Sequence, residues 1–228
     1  MQNKITQKSC NDCSSTGYEL LFSVKTFGKQ VERIAESLCL PYPTFSPNVK
    51  TQVLLIITDD ADIYEKEINL LLSHEKYAYV HPLIFDINEK GKNWQKYSRE
   101  WSSYNILSGK VIGNLFLFIE EYLSNIGLIS FDLNDLRWAL SNGTFLNVTK
   151  LEGDIHQLLT SFQPRECNAL VLGINIPNQG EDEMQKSLNV VNDFFTQFGD
   201  ETEIKWALNF CEGESHFLII EVQETGMF

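Results

Sequence analysis

The sequence predicts an α/β protein in two linked parts: a short strand–helix layer, a buried central helix, and an α+β unit of about four strands. Three observations predict it. "TQVLLIIT" (51–58) is a continuous, largely β-branched run, the pattern of a strand buried on both faces of a parallel sheet. Strand-like and helix-like stretches alternate around it, the rhythm of an α/β layer. Residues 111–126 carry apolar side chains nearly all round a helix, and such a helix must be buried nearly all round.

Bulk composition narrows the classes of function. With 228 residues, 43% apolar and 12% aromatic, the chain has ample length and substance for a core. A formal net charge of −13 disfavours nucleic acid and anionic membrane as partners, because a phosphate lattice would be repelled. Residues 1–17 are polar and read as a flexible leader without a signal segment. "VIGNLFLFIEEYLSNIGL" is too short and too acidic, with Glu120 and Glu121, for a membrane span. Five scattered cysteines suit reduced thiols in a cytoplasm. Cys10 and Cys13 form a CxxC, but no second pair completes a zinc site, so no metal is assigned.

The elements follow in order. "YELLFSV" (18–24) reads as a strand, and 29–40 as a helix with Val31, Ile34, Ala35 and Leu38 on one face. The Pro-rich 41–48 is a loop. After strand 51–58, "DDADIYEKEINLLLSHEK" is a helix with acidic residues in its first turn, where the helix dipole favours them. Strand 77–87 is interrupted at Pro82, which suggests a bulge or an edge. Residues 89–108 read as a helix plus loop, and Trp94 and Trp101, seven apart, mark a packing face. These elements make up a first part, 18–110, joined by the central helix 111–126 to a second part, 127–228.

The second part has a helix at 133–141 ending in "SNG", whose glycine suits a left-handed cap. A strand follows at 144–149, then a helix near 154–162, a strand at 168–176 and an amphipathic helix at 181–198. "NQG" (178–180) is a turn ahead of that last helix. Strands 203–210 and 216–222 close the chain, joined by a hairpin-like loop at Gly213. His74, His81, His156 and His216 show no ligand spacing and read as structural, and no serine sits in a hydrolase motif.

The candidate residues for chemistry lie in "SFDLNDLRWALSNG" (130–143). Asp132 is a favoured N-cap type, and Asp135, three residues on, occupies the capping-box position. The same pair, just after an apolar run, is also a candidate for chemistry.

With its flanks, this stretch resembles the FtsZ/tubulin family. The family's segment has the form GLINxDxxDVxxxMxNxG; Gly127, Leu128, Ile129, Asp132, Asp135 and Asn142 match it, with Leu136 for Val and Leu140 for Met, and Gly143 lies one residue ahead of the family's last glycine. "NALVLGINIPNQGEDEMQKSLNVVNDF" and "HFLIIEVQETGM" are similar to later family elements, so the resemblance runs over residues 111–228. It implies a reduced Rossmann-like amino-terminal sheet, the central helix, and an FtsZ-like carboxy-terminal domain. It further implies head-to-tail stacking, either on itself or on an FtsZ-like subunit. The interaction residues would be Ser130, Asp132, Asn134 and Asp135. Asp132 and Asp135 would be catalytic only in trans, acting on GTP held by the next subunit. Ser130 stands where the family has Asn.

The first part departs from the family. The family's GTP loops are glycine-rich because successive backbone N–H groups must approach phosphate closely. After its first strand this chain keeps only Gly28; after "VLLIIT" it has Asp59, Asp60 and Asp62 and no glycine. Two like charges about 5 Å apart repel by roughly 3 kcal/mol at an effective dielectric near 20. The expectation is therefore a pseudo-GTPase without its own cofactor, a cytoplasmic filament cap or assembly modulator. The alternatives are a divergent GTPase with Mg²⁺ at Asp59, Asp60 and Asp62, and an adaptor that reuses the fold.

Overall fold

The structure, a computed structural model, describes residues 20–40, 42–46, 48–74, 80–123, 128–162, 166–177, 180–199, 201–211 and 215–224. The expected leader, with Cys10 and Cys13, lies outside these residues, as does Gly213.

Eight strands form one sheet: β1 (Phe22–Phe27), β2 (Val53–Thr58), β3 (His81–Asp86), β4 (Tyr104–Leu107), β5 (Phe145–Glu152), β6 (Ala169–Pro177), β7 (Glu203–Cys211) and β8 (His216–Gln223). Their spatial order is β1-β2-β3-β4-β5-β8-β6-β7. β1 to β5 are parallel; β8 runs antiparallel to both β5 and β6; β7 is parallel to β6. Seven strands therefore point one way and β8 the other. The helices are α1 (Lys29–Leu38), α2 (Ala61–Leu72), α3 (Trp94–Glu100), α4 (Ile112–Phe118), α5 (Leu133–Leu140), α6 (Ile155–Ser161) and α7 (Glu181–Phe195). α4 continues through a wider π-helical turn, Ile119–Leu123.

Helices cover both faces. Val31 of α1, the apolar side of α4 and Leu133, Leu136 and Leu140 of α5 share a core with Val53, Leu55, Ile57, Val171 and Leu218. α2 and α3 pack on the opposite face against Leu54, Ile56 and Ile84, and α6 and α7 continue that layer against Leu170, Leu172 and Ile219. Every residue of β2 is buried, as its unbroken apolar run requires. The central helix is buried as expected: Ile112, Leu115, Phe118, Ile119 and Tyr122 are all at 1% exposure or less. Gly173 of β6 lets it approach, since a Cβ there would stand 2.3 Å from the Tyr122 ring.

The chain path at β1 sets one edge of the sheet apart. Thr44, in the Pro-rich segment, bridges to Val24 on the side of β1 away from β2. From β1 the chain thus passes over α1 to one side; from β2 it passes over α2, on the other face, to β3. The ends of β1 and β2 form a topological switch point, the position where open α/β sheets place ligands.

Four details differ from the sequence reading. "YNIL" (104–107) is a strand, β4, where a helix plus loop was expected. β7 and β8 do not pair: β8 is inserted between β5 and β6. Its unbroken burial suits an interior strand, whereas the half-exposed β7 suits an edge. Gly143 does not adopt a left-handed cap; it is needed because a Cβ would stand 2.4 Å from the Gln223 carbonyl. Pro82 lies within an interior strand, at a point where β4 has not yet begun to pair, so its missing N–H leaves no bond unmade.

Candidate functional site

The segment 128–140 alternates anchor and display. Ile129 exchanges two backbone bonds of 3.2 Å with Leu208 of β7. Phe131 is buried edge-on against Phe118, with ring centroids 5.4 Å apart, and Leu133 and Leu136 enter the core. Between these anchors Leu128, Ser130, Asp132 and Asn134 are exposed.

Asp132 and Asp135 form a reciprocal capping box. Asp132 Oδ1 accepts from the Asp135 N–H at 2.9 Å, and Asp135 Oδ2 accepts from the Asp132 N–H at 3.2 Å. Asp135 Oδ1 also meets Lys205 Nζ at 3.0 Å, and Lys205 lies over the Trp138 ring. Asp132 thus keeps an exposed carboxylate at the start of α5, while Asp135 is half-buried and paired.

The direction of the sheet gives this segment its place. Lys205 is near the start of β7, and Arg137 of α5 stands 3.4 Å from the ring of His81, the first residue of β3. β3 and β7 run the same way as β1 and β2. The acidic segment therefore sits toward the strand-start edge of the sheet, and the switch point sits at the strand-end edge.

At the strand-end edge four carboxylates are each committed to a different set of donors. Asp59 Oδ2 accepts from the Gln30 N–H in the first turn of α1, at 3.1 Å. Asp60 is the N-cap of α2 and accepts from the N–H groups of Asp62 and Ile63 at 2.9 and 3.3 Å. Asp62 accepts from the Lys92 N–H, Asn93 Nδ2 and the Tyr97 hydroxyl at 2.9 to 3.0 Å. Burial pushes its pKa up, but these donors outweigh it and hold the carboxyl below its ordinary value. Asp86, at 1% exposure, accepts from the Ala61 N–H, the Asn88 N–H and the Tyr104 hydroxyl. Burial pushes Asp86 up to about 6 against those donors.

At this edge the Gln30 N–H in the first turn of α1 is not free: it is bonded to Asp59, and a Cβ on Gly28 would already stand 1.9 Å from the Asp59 carboxylate. Nor do Asp59, Asp60 and Asp62 converge: they serve α1, α2 and the start of α3 respectively. Among the described residues no group of three or more His, Cys, Asp or Glu is placed to hold a metal ion.

The structure brings Ser130, Asp132, Asn134 and Asp135 together, as one segment. Sequence reasoning missed two participants, Lys205 and Asp86, and one contact, that of Asp59 with α1. Lys205 is distant in sequence from the aspartate it pairs with. Asp86 reads as an ordinary strand end, although a carboxylate closing the apolar run "PLIF" was a usable signal. The reach of Asp59 back to α1 depends on β1 and β2 being neighbours.

This single mixed sheet, covered by helices on both faces, has the FtsZ/tubulin-like fold. CetZ from Methanosaeta thermophila is similar in structure, with a TM-score of 0.53 and 13% identity over 86% of this chain and 67% of that one. TubZ of Bacillus thuringiensis serovar israelensis in a GTPγS-form protofilament has a TM-score of 0.54 and 14% identity, over 86% and 66%. TubZ in GDP-form protofilaments has a TM-score of 0.52 and 13% identity, over 86% and 68%. The chain thus spans about two thirds of the length of these relatives, and the likeness is one of fold. No family model and no curated protein matches the sequence. No helix among the described residues is long and apolar enough to cross a membrane.

Proposed function

We propose that this chain is a subunit that joins filaments without a nucleotide site of its own. It docks head to tail on a nucleotide-binding FtsZ-like partner in the cytoplasm and caps that partner's filament or modulates its assembly. The observation that carries this reading is the disposition of the two edges. Ser130, Asp132 and Asn134 are displayed toward one edge of the sheet, while the amides at the opposite edge are bonded to the chain's own aspartates. A heterologous contact of this kind propagates only when both faces work. With one face closed, the chain terminates a stack. In this role Asp132 enters the neighbour's site, and Lys205 and the capping box hold α5 rigid beneath it. The protofilament state of the TubZ structures supports a longitudinal contact for this fold.

Light scattering of a GTP-driven FtsZ assembly tests the proposal. Wild-type chain lowers the plateau in proportion to dose. Asn134→Arg, which adds bulk and positive charge to the displayed edge without touching the cap, leaves the plateau unchanged. No effect of the wild type at equimolar ratio sinks the reading.

A further inference from the structure

Among the described residues five large apolar side chains are exposed: Leu38, Ile63, Leu70, Leu128 and Phe210. The two most exposed, Ile63 at 67% and Leu70 at 72%, lie on one helix, α2. At 3.6 residues per turn they stand about 20° from each other around the helix axis and about 10 Å apart along it. Lys66 and Glu67, both exposed, sit between them in height, Lys66 on one flank of the apolar line and Glu67 on the other. The rest of α2 is engaged within the chain. Ala61 and Ile68 are buried, Tyr64 meets Phe27, and Asn69 accepts from the Trp101 indole. Asp62 bonds Lys92, Asn93 and Tyr97, and Glu65 bonds Lys96 and Tyr97. Lys66 and Glu67 make no hydrogen bond or ion pair among the described residues.

We infer that this stripe is a self-association face, on which α2 of one chain packs side by side and parallel against α2 of a second copy. Charge selects both the partner and the direction. About a two-fold axis parallel to the helices, Ile63 meets the partner's Ile63 and Leu70 meets the partner's Leu70. On each flank Lys66 of one copy then faces Glu67 of the other, so the contact closes on itself. An antiparallel pairing would set Lys66 against the partner's Lys66 and Glu67 against the partner's Glu67, and like charges so placed repel. A net charge of −13 opposes self-association in general, but this stripe carries one charge of each sign and is neutral. Two apolar side chains from each copy make a small seam, so the pairing is weak and concentration-dependent. α2 leads from the end of β2 to the start of β3, so parallel pairing points the acidic edges of both chains the same way. The inference goes beyond the head-to-tail reading and does not rest on it.

Sedimentation velocity of the full chain alone, from micromolar to near-millimolar concentration, tests it. Wild type passes from monomer to dimer over that range. Ile63→Ser/Leu70→Ser removes the seam and weakens self-association by roughly tenfold or more. Lys66→Glu and Glu67→Lys each oppose like charges on both flanks and sediment as monomers. Mixed in equal amounts they form a heterodimer, because each flank then joins opposite charges. The double variant Lys66→Glu/Glu67→Lys dimerises as wild type does. Added salt weakens the wild-type dimer by screening the flanking pairs, whereas it would tighten an antiparallel one. All four positions are exposed, so every variant keeps the wild-type circular dichroism spectrum. A wild type that stays monomeric throughout overturns the inference. So does a dimer that survives Ile63→Ser/Leu70→Ser, a dimer that salt tightens, or a pair of charge variants that fails to associate on mixing. No FtsZ-like partner is present in this assay, so its failure leaves the capping reading to the light-scattering test.

Discussion

Asp86 closes β3 with its carboxyl group buried under α2 and accepting three hydrogen bonds. Those bonds favour the ionised form, yet burial outweighs them and raises the pKa from 3.8 to about 6, with Asp60 nearby adding to the rise. Because the folded-state pKa lies above the unfolded one, the stabilising contribution of Asp86 is complete below pH 4 and is lost as the pH rises through 6. Two pH units correspond to about 3 kcal/mol. Asp86→Asn removes this dependence. Urea denaturation at pH 4.5 and pH 7.5 is expected to show wild type losing stability relative to Asp86→Asn across that interval; parallel pH profiles would contradict it. At this scale the sequence was legible for caps and blind to depth. Asp132, Asp135 and Asp60 announce themselves by their spacing before apolar runs, whereas nothing local tells Asp59, reaching back to α1, from Asp60, capping forward into α2.

Among the elements, α5 depends on its capped first turn, because it is only 8 residues long and isolated helices of that length are unstable in water. Asp132→Ala removes an acceptor and leaves the Asp135 N–H unpaired, at a cost of about 1 kcal/mol. Asp132→Asn preserves the acceptor and costs a few tenths. Equilibrium denaturation separates the two, and equal losses would show that the charge rather than the cap supports α5. The central helix makes the opposite case: it has no side-chain cap at its start and is held by buried packing, with Asn114, Tyr122 and Glu121 bonded to neighbouring strands. Gly173→Ala drives a methyl into the Tyr122 ring, and overpacking of this kind costs about 1–3 kcal/mol. A mutant Tm within error of wild type would contradict that contact. The central helix was readable because its apolar side chains leave so narrow a polar stripe. β4 was not: at four residues, inside a polar stretch, it carries too little periodicity to separate from a loop, and its neighbours β3 and β5 decide its state.

Across the whole molecule, one core runs from Phe22 and Val24 of β1 through α4 and α5 to Ile220 and Val222 of β8. Unfolding is therefore expected to be a single transition. Trp94 and Trp101 report on β4 and its helix, Trp206 on β7, and circular dichroism on all elements; their denaturation midpoints should coincide. Separate midpoints would show that the sheet is continuous in geometry but not in energy. The overall α/β class was legible because β2 and the alternation around it are strong signals. Strand order was not, because β7 and β8 are consecutive in sequence and their patterns alone suit a hairpin.

The insertion of β8 between β5 and β6 gives a single strand two seams to close. Without residues 216–223, β5 and β6 would each present a bare edge of unsatisfied amides and carbonyls, the kind of edge that recruits foreign strands. Peeling of β8 alone would therefore open two such rims at once.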